Sequence, residues 1–381
     1  MAQRLKTDWY LFITIVVMVF FGALMIFSAS SVTASFKMGS SYYFVIRQIF
    51  WIVVAMGVMM ALKRTHYRKL QHPAVAFVGI GIVMMMLIAV FFVDTHQHRW
   101  IRMGFVGVQP SELAKPALVV FLAFFIALRA RAINSRHTLF PAAAAVLALT
   151  FLVVVADLGT AVVLVATAAT LFLVAGLEWR FFMVALLGIL VACLFAVASK
   201  PYRLTRIIGY VDHDYAIVQK VDATLHIHLA EYLKKSLTTK DTRYQSDQAR
   251  IAVGSGGVTG LGLMQSKQKE GYLPEPHTDF IYAIVGEEFG FLGAAAVLIG
   301  FGIILWRGMR ATVLIPDDFG RYLALGITTL LVVQAFMNMS VVLGMMPTKG
   351  IPLPMLSFGG SSLLSTLACL GILLNVSEHA G

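Results

Sequence analysis

Apolar runs long enough to cross a bilayer recur along nearly the whole chain, separated by short polar punctuation. A span needs about 17–25 apolar residues. Stretches that meet or approach this length lie near 9–29, 43–62, 74–93, 113–128, 138–155, 160–177, 181–198, 279–305, 322–343 and 362–376. The fourth and tenth are short on apolar count. The pattern predicts an all-α integral membrane protein, a polytopic bundle of about ten transmembrane helices, with one large loop, about 199–278, between spans 7 and 8. That insertion is too long for a plain connector and is expected to fold against the outer face. The whole chain, 1–381, reads as a single transmembrane domain. The first apolar run is too long for a signal-peptide core and is expected to be retained as a helix.

Composition supports this class. Hydrophobic residues make up 59% of the 381 and charged residues 13%, against about 25% charged in soluble domains. Cys193 and Cys369 both lie inside apolar runs, which suits small core residues and neither a disulfide framework nor a metal site. The net charge of +11 fits cytoplasmic anchoring and anionic lipid head groups rather than nucleic acid.

The basic residues are distributed unevenly between the short loops of the two sides. Thirteen fall on one side (Arg4, Lys6, Lys63, Arg64, Arg68, Lys69, Arg129, Arg131, Arg136, Arg180, Arg307, Arg310, Arg321) and four on the other (Lys37, Arg99, Arg102, Lys349). The positive-inside rule then puts both termini in the cytoplasm and the large loop outside.

The candidate chemistry collects on the outer side. Gly271-Tyr-Leu-Pro-Glu-Pro-His-Thr-Asp279 runs straight into an apolar helix, so Asp279 stands where a wet loop enters the membrane. A carboxylate there suits two roles: a cap on free N–H groups at a helix start, or a base held at the membrane rim. In Val108-Gln-Pro-Ser-Glu-Leu-Ala-Lys115, Ser111 is the expected N-cap, and Glu112 and Lys115, three apart, can pair as a structural unit or meet substrate. Arg99, Trp100 and Arg102 could hold a phosphate and an apolar tail, although Trp100 also suits an interfacial anchor. His96 and His98 lack partner ligands for a metal. Asp157-Leu-Gly-Thr160 either caps the next helix or adds a second carboxylate to the outer cavity. Ser28 to Ser35 reads as a polar turn, and Pro201 to Ile208 as an interfacial helix. The glycines between Gly254 and Gly262 suit flexible or tightly packed backbone, or a phosphate cradle. Lys267 and Lys269 add cations just before Asp279. Prolines and glycines break the apolar stretch from Met346 to Ser362, as backbone lining a cavity would. Glu287 and Glu288 lie inside the eighth span, and at least one should face the bundle interior.

With these motifs in view the chain resembles the SEDS family (shape, elongation, division and sporulation), polytopic peptidoglycan glycosyltransferases of bacteria. The carrying motifs are Arg99-Trp100, Gln109-Pro-Ser-Glu112 with Lys115, Asp157-Leu-Gly-Thr160, Leu273-Pro-Glu-Pro-His-Thr-Asp279-Phe280 and Leu353-Pro-Met-Leu-Ser-Phe-Gly-Gly-Ser-Ser362. Gln268-Lys269 and Pro347-Thr-Lys-Gly350 look like the division branch, with the elongation branch close behind. Ala156 stands where the family often has proline, Phe358 replaces a usual tyrosine, and the stretch near 212–243 looks longer than usual.

The resemblance implies polymerisation of lipid II on the outer face of the cytoplasmic membrane during septal wall synthesis. Asp279 would be the general base, and Arg99, Trp100, Glu112, Lys115, Asp157, Lys267, Lys269, His277, Lys349 and Ser361 would line the substrate site. Lys349 is expected at the donor pyrophosphate, with snorkelling to head groups as the alternative. Lipid II, a class B penicillin-binding transpeptidase and other division proteins are the implied partners. No cofactor is called for with certainty, and a divalent cation stays open. A lipid II flippase and a non-catalytic division scaffold are the competing functions.

Overall fold

The computed structural model describes residues 7–94, 99–103, 106–198, 240–348 and 350–380. Ten apolar helices fill the ten places the hydrophobic pattern assigns: α1 (Trp9–Met38), α2 (Tyr43–Arg64), α3 (Pro73–Val93), α4 (Pro110–Arg129), α5 (Arg136–Ala156), α6 (Leu158–Val174), α7 (Trp179–Ala198), α9 (Ile281–Leu314), α10 (Asp318–Val342) and α11 (Gly360–His379). A further helix, α8 (Lys240–Ser255), precedes α9. Eight of the ten are long and apolar enough to cross a membrane, while α6 and α7 add the shorter apolar stretches Leu158–Val174 and Trp179–Gly188. Between α3 and α4 an antiparallel hairpin, β1 (Ile101–Met103) and β2 (Val106–Val108), supplies the only strands among the described residues. The expected interfacial helix near 201–208 and most of the 212–243 stretch lie outside the described residues.

Two expectations about element boundaries are corrected. The serine-rich run from Ser28 to Ser35 is not a turn: α1 continues through it to Met38. Its hydroxyls can be buried because some find partners; Ser28 Oγ donates to Glu288, and Ser31 Oγ bonds the Ser28 carbonyl. The eighth span does not end near residue 305 but runs on to Leu314, and it breaks at Gly290 (φ 63°, ψ −158°), a conformation essentially reserved for glycine.

At membrane depth the backbone groups freed by that break need partners inside the protein. The 256–262 segment provides them. The amides of Leu261 and Gly262 donate to the Glu287 and Glu288 carbonyls at 3.0 Å each, and those of Phe291 and Leu292 donate to the Gly257 and Val258 carbonyls at 2.9 and 3.2 Å. A Cβ at Gly256, Gly260 or Gly290 would collide with the facing backbone. The glycine-rich stretch is therefore tightly packed against α9 at Gly256 and Gly260.

α10 and α11 are the most enclosed spans, with α4 next. Helix alternation gathers the ends near the termini on one face. There Arg307 Nη2 meets Asp8 at 2.8 Å, Ser377 Oγ donates to the same carboxylate at 2.7 Å, and Lys63 pairs with Glu378 at 2.8 Å. Tyr67 donates its hydroxyl to Asp317. Burial and that bond push the Tyr67 hydroxyl up to about 12. Burial alone would raise the Asp317 carboxyl, but Tyr67, the Gly320 amide and Arg68 outweigh it and hold it below its ordinary value.

Candidate active site at the bundle end opposite the termini

Asp279, half-buried, is the second-last residue of the non-helical turn 271–280. Helix α9 starts at Ile281 with Phe280, which has no side chain able to cap, in the N-cap position, so Asp279 stands one residue before the cap. Three consecutive carbonyls of the turn are bonded from the 350–359 loop and from α10. The Phe358 amide donates to His277 O at 2.9 Å, Ser357 Oγ to Thr278 O at 2.6 Å, and Asn338 Nδ2 to Asp279 O at 2.8 Å. The same groups hold the facing loop. Asn338 Nδ2 also reaches Ile351 O at 2.7 Å, Gln334 Nε2 reaches Pro352 O at 2.8 Å, and the Leu353 amide donates to Ser357 Oγ at 2.8 Å. The glycine- and proline-broken loop is thus a braced wall, as irregular backbone between membrane helices must be. Gly350 lies against the carboxylate: a Cβ there would stand 2.9 Å from Asp279 Oδ2.

The next residue of that wall, Ile351, touches the second acidic turn. A Cβ at Gly159 would collide with the Ile351 side chain. Asp157 Oδ1 accepts the Gly159 and Thr160 amides at 3.0 and 3.2 Å, capping α6, while Oδ2 accepts Thr160 Oγ1 at 2.9 Å and Arg99 Nη2 at 3.2 Å. Asp157 both caps a helix and pairs with a cation facing the same end of the bundle. Asp94 Oδ2 accepts the Arg99 and Trp100 amides at 3.1 and 3.2 Å, which seats the Trp100 ring across the hairpin, 3.4 Å from where a Gly107 Cβ would stand.

The starts of α4 and α11 meet beside this wall, where the Gln109 amide donates to Ser361 Oγ at 3.4 Å. Gln109, not Ser111, occupies the N-cap of α4, because Pro110 at N1 has its φ preset for the helix and no amide to satisfy. Glu112 and Lys115 pair at 2.7 Å with both side chains buried, and Ser365 Oγ adds a contact to Glu112 at 3.4 Å. Glu112 Oε1 has no hydrogen-bond partner among the described residues.

Lys269 is placed differently. It is buried against Glu288 at 2.9 Å, and Ser28 Oγ joins the pair, 3.1 Å from Lys269 Nζ and 2.6 Å from Glu288 Oε1. Glu287 turns to the same strap, accepting Ser266 Oγ at 2.5 Å and the Lys267 amide at 2.9 Å. Both glutamates face the interior, where they bind 266–269 to α9. The Lys267 side chain is exposed. His277 is buried, its ring centroid 4.5 Å from that of Phe44 and 5.7 Å from that of Phe358. Lys349, His96 and His98 lie outside the described residues. Among the described residues no group of three His, Cys, Asp or Glu side chains is arranged to hold a metal.

Ten apolar helices with a carboxylate, ion pairs and broken glycine–proline backbone gathered at one end define a multi-pass membrane protein with a polar site at the rim of its bundle. The chain belongs to the cell cycle protein family of FtsW, RodA and SpoVE, matching it along residues 8–381. It is 34% identical to the stage V sporulation protein E of Bacillus subtilis, covering 100% of this chain and 99% of that one. It is 35% identical to a probable peptidoglycan glycosyltransferase FtsW of Geobacter metallireducens, over 98% of this chain and 95% of that one. Among solved structures it is similar to a chain described under the structural coordination of polymerization and crosslinking by a peptidoglycan synthase complex (TM-score 0.74, 25% identity, 98% of both chains). The fold is also that of the Thermus thermophilus rod shape determining protein RodA (TM-score 0.67, 24% identity, 99% of this chain and 98% of that one).

Of the side chains that hold the site together, Ser357 falls inside the Leu353–Ser362 motif read from the sequence, whereas Asn338 and Gln334 belong to none of those motifs. Gln334 and Asn338 were detectable as two amides four apart, one helical face, inside an apolar span, where polar side chains usually bond across helices.

Proposed function

We infer that this chain is a peptidoglycan glycosyltransferase of the division type, polymerising lipid II into glycan strands at the outer face of the cytoplasmic membrane. The observation that carries the reading is Asp279: a carboxylate at a membrane rim, its backbone carbonyl fixed by Asn338 and its side chain bordered by a glycine. Asp279 takes the proton from the acceptor sugar's 4-hydroxyl as that oxygen attacks the donor's anomeric carbon. The bond from that carbon to the undecaprenyl pyrophosphate breaks, and the leaving pyrophosphate keeps the electron pair. Attack opposite the leaving group turns the α-linked donor into a β-glycosidic product. Arg99, fixed by Asp157, and Lys349 supply positive charge for the pyrophosphate.

The excess of arginine and lysine in the loops nearest the termini supports an inward-facing terminal end and an outward-facing site. A class B penicillin-binding transpeptidase is the partner that fits, since new strands must be crosslinked as they emerge. The full chain in detergent with lipid II as sole substrate tests the assignment, because without a membrane there are no two sides between which to move lipid. Glycan strands there support a polymerase; their absence under conditions in which related polymerases are active points to a flippase or scaffold.

A further inference from the structure

The turn bearing Asp279 has no helix or sheet ladder of its own, so its position depends on what bonds its carbonyls. One side chain ties such a carbonyl to the facing loop. Asn338, on α10 and 2% exposed, gives one amide N–H to Asp279 O at 2.8 Å and the other to Ile351 O at 2.7 Å. Only the NH₂ side of the amide can answer two carbonyls, so the amide's orientation is fixed. Its Oδ1 has no hydrogen-bond partner among the described residues. Gly350, directly before Ile351, is the residue whose Cβ would stand 2.9 Å from Asp279 Oδ2. Asn338 therefore sets the spacing between the backbone of the carboxylate and the peptide beside which that carboxylate rests. Gln334, one turn earlier on the same face, extends the hold to Pro352 O at 2.8 Å.

We propose that Asn338 is a positioning residue for the Asp279 carboxylate, fixing it against the Gly350–Ile351 peptide so that it meets the acceptor hydroxyl. This rests on Asp279 being the base, and the test separates the two claims. Purified full-length chain, under conditions in which the parent polymerises, is assayed over a range of lipid II concentrations beside Asn338→Leu, Asn338→Gln and Asp279→Asn. Asn338→Leu keeps the branched shape and the number of heavy atoms and loses both donors. Its kcat should fall roughly 10–100-fold, as misplacement of a catalytic group by about 1 Å does, while KM stays within about three-fold because binding is untouched. Asn338→Gln, which keeps the amide on a longer stem, should recover part of the rate. Parental kcat in Asn338→Leu overturns the proposal, as does a loss confined to KM or to the amount of folded protein, or no recovery in Asn338→Gln. If neither Asn338 variant folds, the residue is a folding determinant and the positioning role is overturned as well. Should Asp279→Asn be inactive while Asn338→Leu keeps parental kcat, only the positioning role fails. Should Asp279→Asn keep the parental rate, both claims fail.

Discussion

Gly350 has no side chain where one would crowd Asp279. A methyl group there would stand 2.9 Å from the carboxylate oxygen, inside ordinary van der Waals contact, so either the loop or the carboxylate must move. The loop is held at Ile351, Pro352 and Leu353 by side chains of α10 and by Ser357, which leaves the carboxylate as the softer partner. Gly350→Ala should therefore lower the polymerisation rate by roughly ten-fold or more with unchanged thermal stability, measured on purified protein with lipid II; a parental rate would show that the carboxylate has room to spare. At this scale the charged residues were legible. Asp279, Asp157, Arg99 and the Glu112–Lys115 pair stood out because ionised groups at a membrane rim are costly. The bracing roles of Asn338 and of Ser357, the latter inside the Leu353–Ser362 motif, were not. The two side chains act by bonding main-chain carbonyls 59 and 79 positions away, and no local spacing encodes that.

Helix α9 shows how an element is set by what lies against it. Its break at Gly290 is bonded from the 256–262 backbone, and two adjacent residues of its first half, Glu287 and Glu288, bind the 266–269 strap. The ten apolar helices were readable from hydrophobicity, but the break and the onward run of α1 through its serines depend on partners elsewhere in the chain. Lys269 shows the same difference. In sequence it is a cation before a candidate base; in the fold it is buried against Glu288 and Ser28. Removing one partner of a buried pair typically costs about 3–5 kcal/mol. Lys269→Met should thus lower the thermal midpoint and the yield of folded protein, while the folded fraction keeps its KM for lipid II. A raised KM with normal stability would instead make Lys269 a substrate contact.

Across the whole molecule, one end of the bundle is closed by ion pairs and the other holds the irregular backbone. The terminal end ties α1, α2, α9 and α11 through Asp8, Arg307, Lys63 and Glu378. The opposite end brings Arg99, Gln109 and the 157–160, 271–280 and 350–361 segments within reach of one another, through Arg99–Asp157, Gly159–Ile351, Gly350–Asp279 and Gln109–Ser361. A frame that holds its irregular backbone braced at one rim suits the proposed chemistry on a lipid-borne substrate. The proposed reaction turns on one proton transfer, from the acceptor hydroxyl to Asp279. Its most direct test is the rate at which purified Asp279→Asn, folded to the same thermal midpoint as the parent, makes glycan strands from lipid II. Asparagine keeps the size and loses the basicity, so the rate should fall by about 100-fold or more. Glycan strands made at the parental rate would contradict it.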